Sequence, residues 1–219
     1  MKEHKSLERL IIYRLLLENE YQDGMRHIFS HQIAEKTGNS AAQIRRDLMQ
    51  VKVNGNAKNG YEIKELIDAI KAISEPKNGI SFVVVGAGNL GRAILNYFSK
   101  LFPQFIAIAC FDIDPEKINH MICGVYCYPL DQFSKVVSTK TVQIGIIAVP
   151  PQGAQVVATE MANSGIKGIV NFSSTPIKAP KDVFIENMDI RIIFEKAAYF
   201  ARNSKNAKKR MKQSEISNG

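Results

Sequence analysis

Six residues, Gly86-Ala87-Gly88-Asn89-Leu90-Gly91, constrain this 219-residue chain more than any others. They follow a short apolar run, Ile80 to Val85, that fits a buried strand. They lead into a helical pattern with Leu90, Ile94, Leu95 and Phe98 on one face. A second apolar run, Phe105 to Phe111, ends at Asp112, 21 residues past Gly91. Strand, G-x-G-x-x-G, helix, strand and acid in that order describe a dinucleotide site. Gly86 makes the tight turn, Gly88 lets a pyrophosphate approach the backbone, and Gly91 lets the helix lie close on the sheet. The phosphates face the unpaired N–H groups of the helix N-terminus. Asp112 is placed to bond the adenosine ribose 2′-OH and to repel a 2′-phosphate, so NAD(H) is expected over NADP(H). The alternative is a glycine turn kept for packing, or a cleft that has lost its cofactor.

The residues beyond continue the alternation. Asp114-Pro115 is expected to start a short helix, 124–128 a strand, and 131–137 a helix. Val142 to Val149 reads as a buried strand, and 152–164 as a helix with Ala154, Val157, Ala158 and Met161 inward. Residues 165–172 form a turn and strand, and 183–185 a further strand. Such alternation predicts an α/β unit with a doubly wound parallel sheet, the Rossmann arrangement. Ligands then bind beyond the C-terminal strand ends. That selects Gly86, Ala87, Gly88, Asn89 and Leu90, Asp112 with Ile113, Val149-Pro150, and Asn171-Phe172-Ser173 as walls. Val149 and Phe172 would pack on rings and Asn171 would bond an amide. No His or Lys stands beside these walls as an acid–base group, so no catalytic residue is assigned.

The N-terminal part has a different pattern. Residues 6–20 read as an amphipathic helix with Leu7, Leu10, Ile11, Leu15 and Leu17 apolar. Ile28-Phe29 reads as a short strand. Ser30 is set to cap a helix over 31–36 with Ile33 and Ala34 inward, and Gly38 stops it. Ser40, with Gln43 three residues on, forms a capping box for a helix in which Ile44, Leu48 and Val51 are buried. Gln43, Arg45, Arg46 and Asp47 are left toward solvent. Two short helices joined by a tight turn suggest a helix-turn-helix, with Ser40, Gln43, Arg45 and Arg46 facing phosphates and base edges. Residues 52–61, KVNGNAKNGY, read as a wing that offers Lys52 and, near its tip, Lys58. Residues 62–73 form a helix with Ile63, Leu66, Ile67 and Ile70 inward, and 75–79 a linker. The expected organisation is a winged helix over 1–78, a Rossmann unit over 79–188, a closing helix over 189–203 and a basic disordered tail over 204–219. The closing helix is apolar on more than one face, which suggests a partner subunit.

The net charge of +8, with a sequence pI near 9.3, suits a polyanionic partner or simply a basic tail. The three cysteines, Cys110, Cys123 and Cys127, are not spaced as CxxC, so neither a disulfide scaffold nor a metal site is expected. A reducing cytoplasm is the expected compartment. No membrane span is expected, since the run from Leu10 to Leu17 carries Arg14, and the N-terminus is no signal peptide.

The chain resembles the Rex family of redox-sensing transcriptional repressors over residues 6–203. The resemblance rests on SAAQIRRDL at 40–48, VGAGNLGRA at 85–93, FDIDPEK at 111–117, AVP at 148–150, GIKGIVNF at 165–172 and ENMD at 186–189. It implies a homodimer with a domain-swapped final helix, released from palindromic operator DNA by NADH and opposed by NAD⁺. It also implies that Tyr97, Asp189 and an Arg of the first helix form a switch at the nicotinamide and the subunit interface. The family's Y-L-R is Tyr13-Arg14-Leu15 here, which turns Arg14 about 100° around the helix from the usual position. The wing keeps only Gly55, Gly60 and Tyr61 of the family pattern, and N-F-x-P becomes Asn171-Phe172-Ser173-Ser174. The expected function is an NAD(H)-responsive repressor and no enzyme. The alternatives are a related DNA-binding regulator with altered or lost redox sensing, and an NAD-dependent dehydrogenase.

Overall fold

A computed structural model describes residues 2–75 and 79–217, with side chains described for 5–75 and 79–203. Met1, Asn218, Gly219 and the linker residues Pro76, Lys77 and Asn78 lie outside the described residues. The chain divides into two units, Met1–Gly79 and Ile80–Gly219.

The first unit holds α1 (Lys2–Gln22), β1 (His27–Ile28), α2 (Ser30–Thr37), α3 (Ala41–Gln50), β2 (Tyr61–Glu62) and α4 (Ile63–Ser74). Its core joins Leu10, Tyr13 and Leu17 of α1 to Ile33, Ile44, Leu48, Ile63, Leu66 and Ile70. The buried stripe of α1 runs through Ser6, Leu10, Tyr13 and Leu17. The expected apolar set is corrected: Leu7 and Leu15 are 40% and 47% exposed. Leu15 and Leu17 stand about 200° apart on a helix and cannot share a face. Ser30 is corrected too, since it is the first residue of α2 rather than its cap. The Phe29 N–H is held instead by Gln32 Oε1 at 2.8 Å. On α3, Ser40 Oγ accepts the Gln43 N–H at 3.1 Å, but the reciprocal half of the capping box is not made. The Gln43 side chain turns to Asp47.

The wing is short. β1 and β2 pair antiparallel, His27 opposite Glu62 and Ile28 opposite Tyr61. Asn56 and Gly60 exchange both backbone hydrogen bonds at 2.7 Å. Gly60 has φ +75°, and a Cβ there would lie 2.4 Å from the Ile28 carbonyl oxygen. Both the turn and the close approach therefore require glycine.

The second unit holds β3 (Ile80–Val85), α5 (Asn89–Leu101), β4 (Phe105–Asp112), β5 (Met121–Ile122), β6 (Val125–Pro129), α6 (Phe133–Ser138), β7 (Ile144–Ile147), α7 (Pro151–Asn163), β8 (Gly168–Asn171), β9 (Phe184–Asn187) and α8 (Ile190–Ser217). The seven-stranded sheet has the order β5-β6-β4-β3-β7-β8-β9. Every neighbouring pair is parallel except the β5–β6 hairpin. The chain winds outward from β3 in both directions, so the switch point lies between β3 and β7. Alternate residues of β3 feed two cores, Phe82 and Val84 against Ile94 and Leu95 of α5, and Val83 and Val85 against Ala154, Val157 and Met161 of α7. This is the alternation that a sheet covered on both faces requires.

Three expectations are corrected here. Residues 115–119 form turns rather than a helix, because the β5–β6 hairpin takes up the chain that follows. Leu90 is 36% exposed and not part of the buried face of α5. The closing helix does not stop at residue 203, since α8 continues to Ser217. Residues 204–217 contain no Gly or Pro, and nine of the fourteen are Lys, Ala, Arg, Met, Gln or Glu, so helix propensity prevails where charge had suggested disorder. On α8, Ile190, Ile192, Ile193, Phe194, Tyr199 and Phe200 are 48–72% exposed.

Gly60→Ala should destabilise the N-terminal unit by about 2 kcal/mol or more, from the positive φ and the clash with Ile28. Urea unfolding followed by circular dichroism reads this as a lower midpoint, and an unchanged midpoint would contradict it.

Candidate nucleotide cleft and nucleic-acid interface

The glycine turn sits where β3 ends. Gly86 has φ +102°, and a Cβ there would lie 2.4 Å from the Ala148 carbonyl oxygen at the end of β7. A Cβ on Gly91 would lie 1.9 Å from the Gly86 carbonyl oxygen, so only glycine lets α5 begin this close to β3. A Cβ on Gly88 would meet nothing within 4 Å. The backbone there is open to an approaching group. Gly88 precedes α5 with no side-chain cap, which leaves the first-turn N–H groups to a ligand.

Beyond this turn lies a cleft of about 870 Å³, within the usual range for a cofactor site. Gly86, Gly88, Asn89 and Leu90 line it, with Asp112, Ile113, Val149 and Pro150. The sequence reading missed Asp114 and Lys117 on one wall and Gln152, Gly153 and Val156 of α7 on the other. The second acid of FDID and the helix after AVP were the signals for them. Ala87 is fully buried under the turn. An open glycine cradle, uncapped helix N–H groups and acids at the far rim fit a dinucleotide.

Asp112 does more than line the cleft. Its Oδ2 accepts the Ala87 N–H at 2.7 Å, and its Oδ1 accepts from Ile113 and Asp114 N–H at 2.8 and 3.0 Å. It braces the glycine turn from β4. Asp114, two residues on, pairs with Lys117 at 2.9 Å. The Lys117 ammonium holds the Asp114 carboxyl below the usual carboxylate range.

The third expected wall lies elsewhere. Asn171, Phe172 and Ser173 do not line the cleft. Asn171 is fully buried, and its Nδ2 donates to Thr175 O and Asn187 Oδ1, both at 2.8 Å. Its Oδ1 accepts from the Ser173 N–H and Oγ–H at 3.0 and 2.7 Å. The amide expected to meet a ligand is saturated by the β8–β9 end instead. Phe172 packs against the core on the α5 side of the sheet.

The expected switch residues each have partners in their own unit. Tyr97 on α5 is half-exposed beside Phe98 and Phe102. Asp189 Oδ2 pairs with Arg191 at 2.7 Å, and the guanidinium lowers its pKa. Arg14 pairs with Glu18 at 3.2 Å and Glu75 at 2.7 Å.

Of the residues expected to face DNA, Arg46 is exposed, and Arg45 donates to Ser30 Oγ at 3.1 Å. Lys52 and Lys58 are exposed on the wing, where Asn56 Oδ1 holds the Lys58 N–H at 2.7 Å. Asp47, expected toward solvent, is 1% exposed. It accepts Arg9 Nε and Nη2 at 2.6 and 2.7 Å, the Tyr13 hydroxyl at 3.0 Å, Ser6 Oγ at 3.3 Å and Gln43 Nε2 at 2.9 Å. Burial opposes its charge, but the bonds from Arg9, Tyr13 and Gln43 prevail and keep its pKa low. Burial first, and then Asp47, pushes Tyr13 up to about 12. Among the described residues no group of His, Cys, Asp and Glu is placed to hold a metal, and no helix is long and apolar enough to cross a membrane.

A helix-turn-helix with a wing, joined to a doubly wound sheet with a dinucleotide cleft, defines a nucleotide-responsive DNA-binding regulator. Residues 4–48 match the family model for the N-terminus of putative DNA-binding proteins, and residues 77–175 match that for CoA binding domains. The chain is 38% identical over 190 residues to the redox-sensing transcriptional repressor Rex of Carboxydothermus hydrogenoformans, covering 87% of this chain and 91% of that one. It is 38% identical over 184 residues to Rex 1 of Thermotoga maritima, covering 84% and 88%. Among solved structures it is similar to RSP, a Rex-family repressor, in complex with β-NAD⁺ and operator DNA. That match has a TM-score of 0.85 and 30% identity, covering 94% of this chain and 95% of RSP. RSP in complex with β-NADH gives a TM-score of 0.83. The chain belongs to the Rex family of redox-sensing transcriptional repressors.

The pKa shifts in the N-terminal unit have a definite sign. A depressed folded pKa at Asp47 gives stability that is complete above its ordinary value of 3.8 and is lost as pH falls through the lower folded value. Acid loss of stability should set in below about pH 4, and Asp47→Asn should flatten the profile there. Urea midpoints measured from pH 7 down to pH 2 check this. Equal slopes in the two proteins would contradict it.

Proposed function

We propose that the chain represses transcription by holding operator DNA with its N-terminal unit, and releases it when NADH fills the cleft of its second unit. The observation that carries this is the open glycine cradle, in a chain 30% identical to RSP over 94% of its length. RSP has been crystallised with operator DNA and NAD⁺, and with NADH. Bound NAD(H) supplies the redox signal, through the charge and shape of its nicotinamide.

The residues of this chain do the rest. The N–H groups at Gly88, Asn89 and Leu90 receive the pyrophosphate, and Gly86 and Gly91 keep the turn tight enough to present them. Asp112 holds the Ala87 N–H, and with Ile113 and Asp114 it borders the adenosine ribose. These acids disfavour a 2′-phosphate, so NAD(H) is preferred. Val149 and Pro150 border the nicotinamide end. Arg46, Lys52 and Lys58 contact phosphates, while Ser40, Gln43 and Arg45 present the first turns of α3 to the major groove. The protein works in the cytoplasm as a homodimer that buries the exposed apolar residues of α8, and the pair meets a palindromic site. The dehydrogenase reading is set aside because the relatives that match most of this chain are repressors.

A second reading keeps DNA binding and changes the sensor. Arg14 is ion-paired to Glu18 and Glu75, which favours a switch that does not use an Arg14–Asp189 pair.

Fluorescence anisotropy of a labelled palindromic operator, at fixed salt, tests the function. NADH should weaken operator binding roughly 5–150-fold, and added NAD⁺ should restore it. Tight operator binding indifferent to both would leave a DNA-binding protein without the redox response.

A further inference from the structure

Gln43 lies in the first turn of α3, and its amide does not rotate freely. Nε2 donates to Asp47 Oδ1 at 2.9 Å. An amide turned the other way would put Oε1 against a buried carboxylate oxygen, acceptor against acceptor. Asp47 cannot turn aside to relieve this. It is 1% exposed, and Arg9 and Tyr13 of α1 hold both of its oxygens. The amide is therefore locked in one of its two orientations. One Nε2 proton is taken, while Oε1 and the other Nε2 proton remain available.

We propose that Asp47 is a specificity-determining positioning residue, which fixes the Gln43 amide to read adenine and refuse guanine at one base pair of each operator half-site. The proposal rests on the reading above that Gln43 faces base edges. Adenine offers the N6–H₂ donor beside the N7 acceptor in the major groove, which matches one acceptor and one donor on the locked amide. Guanine offers O6 and N7, both acceptors, and would set O6 against Oε1. Asp47 itself touches no base in this arrangement. It stands one turn along α3 from Gln43, on the same side of the helix, and is held there by Arg9 and Tyr13 of α1. An Asn at position 47 could donate to Oε1, so the amide could turn over and offer both of its protons outward, as guanine needs.

The test is selection of duplex sites from a random-sequence library by the full-length protein, by Asp47→Asn and by Gln43→Ala. The wild-type chain should demand adenine at one position per half-site, by about tenfold over guanine. Gln43→Ala should lose that preference. Asp47→Asn should keep the rest of the site and relax this position toward guanine. Replacing that adenine by 7-deazaadenine, which lacks N7, should weaken the wild-type chain and leave Gln43→Ala unaffected. Asp47→Asn that binds more weakly with its adenine preference intact would overturn the proposal, since a purely structural role predicts that outcome. An unchanged preference in Gln43→Ala would overturn the base-reading role of Gln43 and the proposal with it. A measurement on the wild-type chain guards against an unfolded variant. The side-chain amide protons of Gln43, assigned by their loss in Gln43→Ala, should show one hydrogen-bonded proton shifted downfield before DNA is added. Both protons at the ordinary shifts of a solvent-exposed amide, as in a side chain that turns freely about Cγ–Cδ, would overturn the proposal.

Discussion

The second unit depends on one close approach. The Gly86 carbonyl oxygen occupies the place that a Cβ on residue 91 would take, 1.9 Å away. That lets α5 start directly on the end of β3, with its first N–H groups directed beyond the sheet. It also places the turn beside Ala148, at the end of β7 and so at the switch point where the chain changes direction across the sheet. The cleft follows from these contacts. Val85, Ala148 and Val149 line it at the strand ends, Asn89 and Leu90 open α5 at one side, and its far rim carries Asp112 and Asp114.

Both units use a carboxylate as an internal brace behind a functional surface. Asp112 crosses from β4 to the Ala87 N–H, so the strand that ends at the rim of the cleft also fixes the glycine turn. Asp47 crosses from α3 to three side chains of α1 and returns to Gln43. The bonds differ in kind. Asp112 is held mainly by backbone N–H groups of neighbouring loops. Asp47 relies on a guanidinium, a phenol, a hydroxyl and an amide, because a carboxylate this buried needs charge-assisted donors to stay ionised.

Backbone-driven features were legible in the sequence. The glycine turn, the stripes of α4 and α7 and the parallel order all follow from spacing, because glycine and period act locally. The α1 stripe was misread because its abundant leucines masked the 3.6-residue line through Ser6, Leu10, Tyr13 and Leu17. Asp47 and Asn171 were misplaced for a shared reason. A polar side chain reads as outward or ligand-facing in a single sequence, and only tertiary partners such as Arg9 or Asn187 make its burial affordable. Asp114 was passed over because the spacing argument was already satisfied two residues earlier. The reach of α8 was set by propensity in a segment where charge drew the eye.

The central claim is that one chain couples a dinucleotide cleft to a DNA-binding surface. Thermodynamic linkage makes that coupling reciprocal. The most direct measurement is isothermal titration of NADH into the protein alone and into its operator complex. The account requires NADH to bind the complex more weakly, by the same factor by which NADH weakens operator binding. Equal NADH affinity in the two titrations would contradict it.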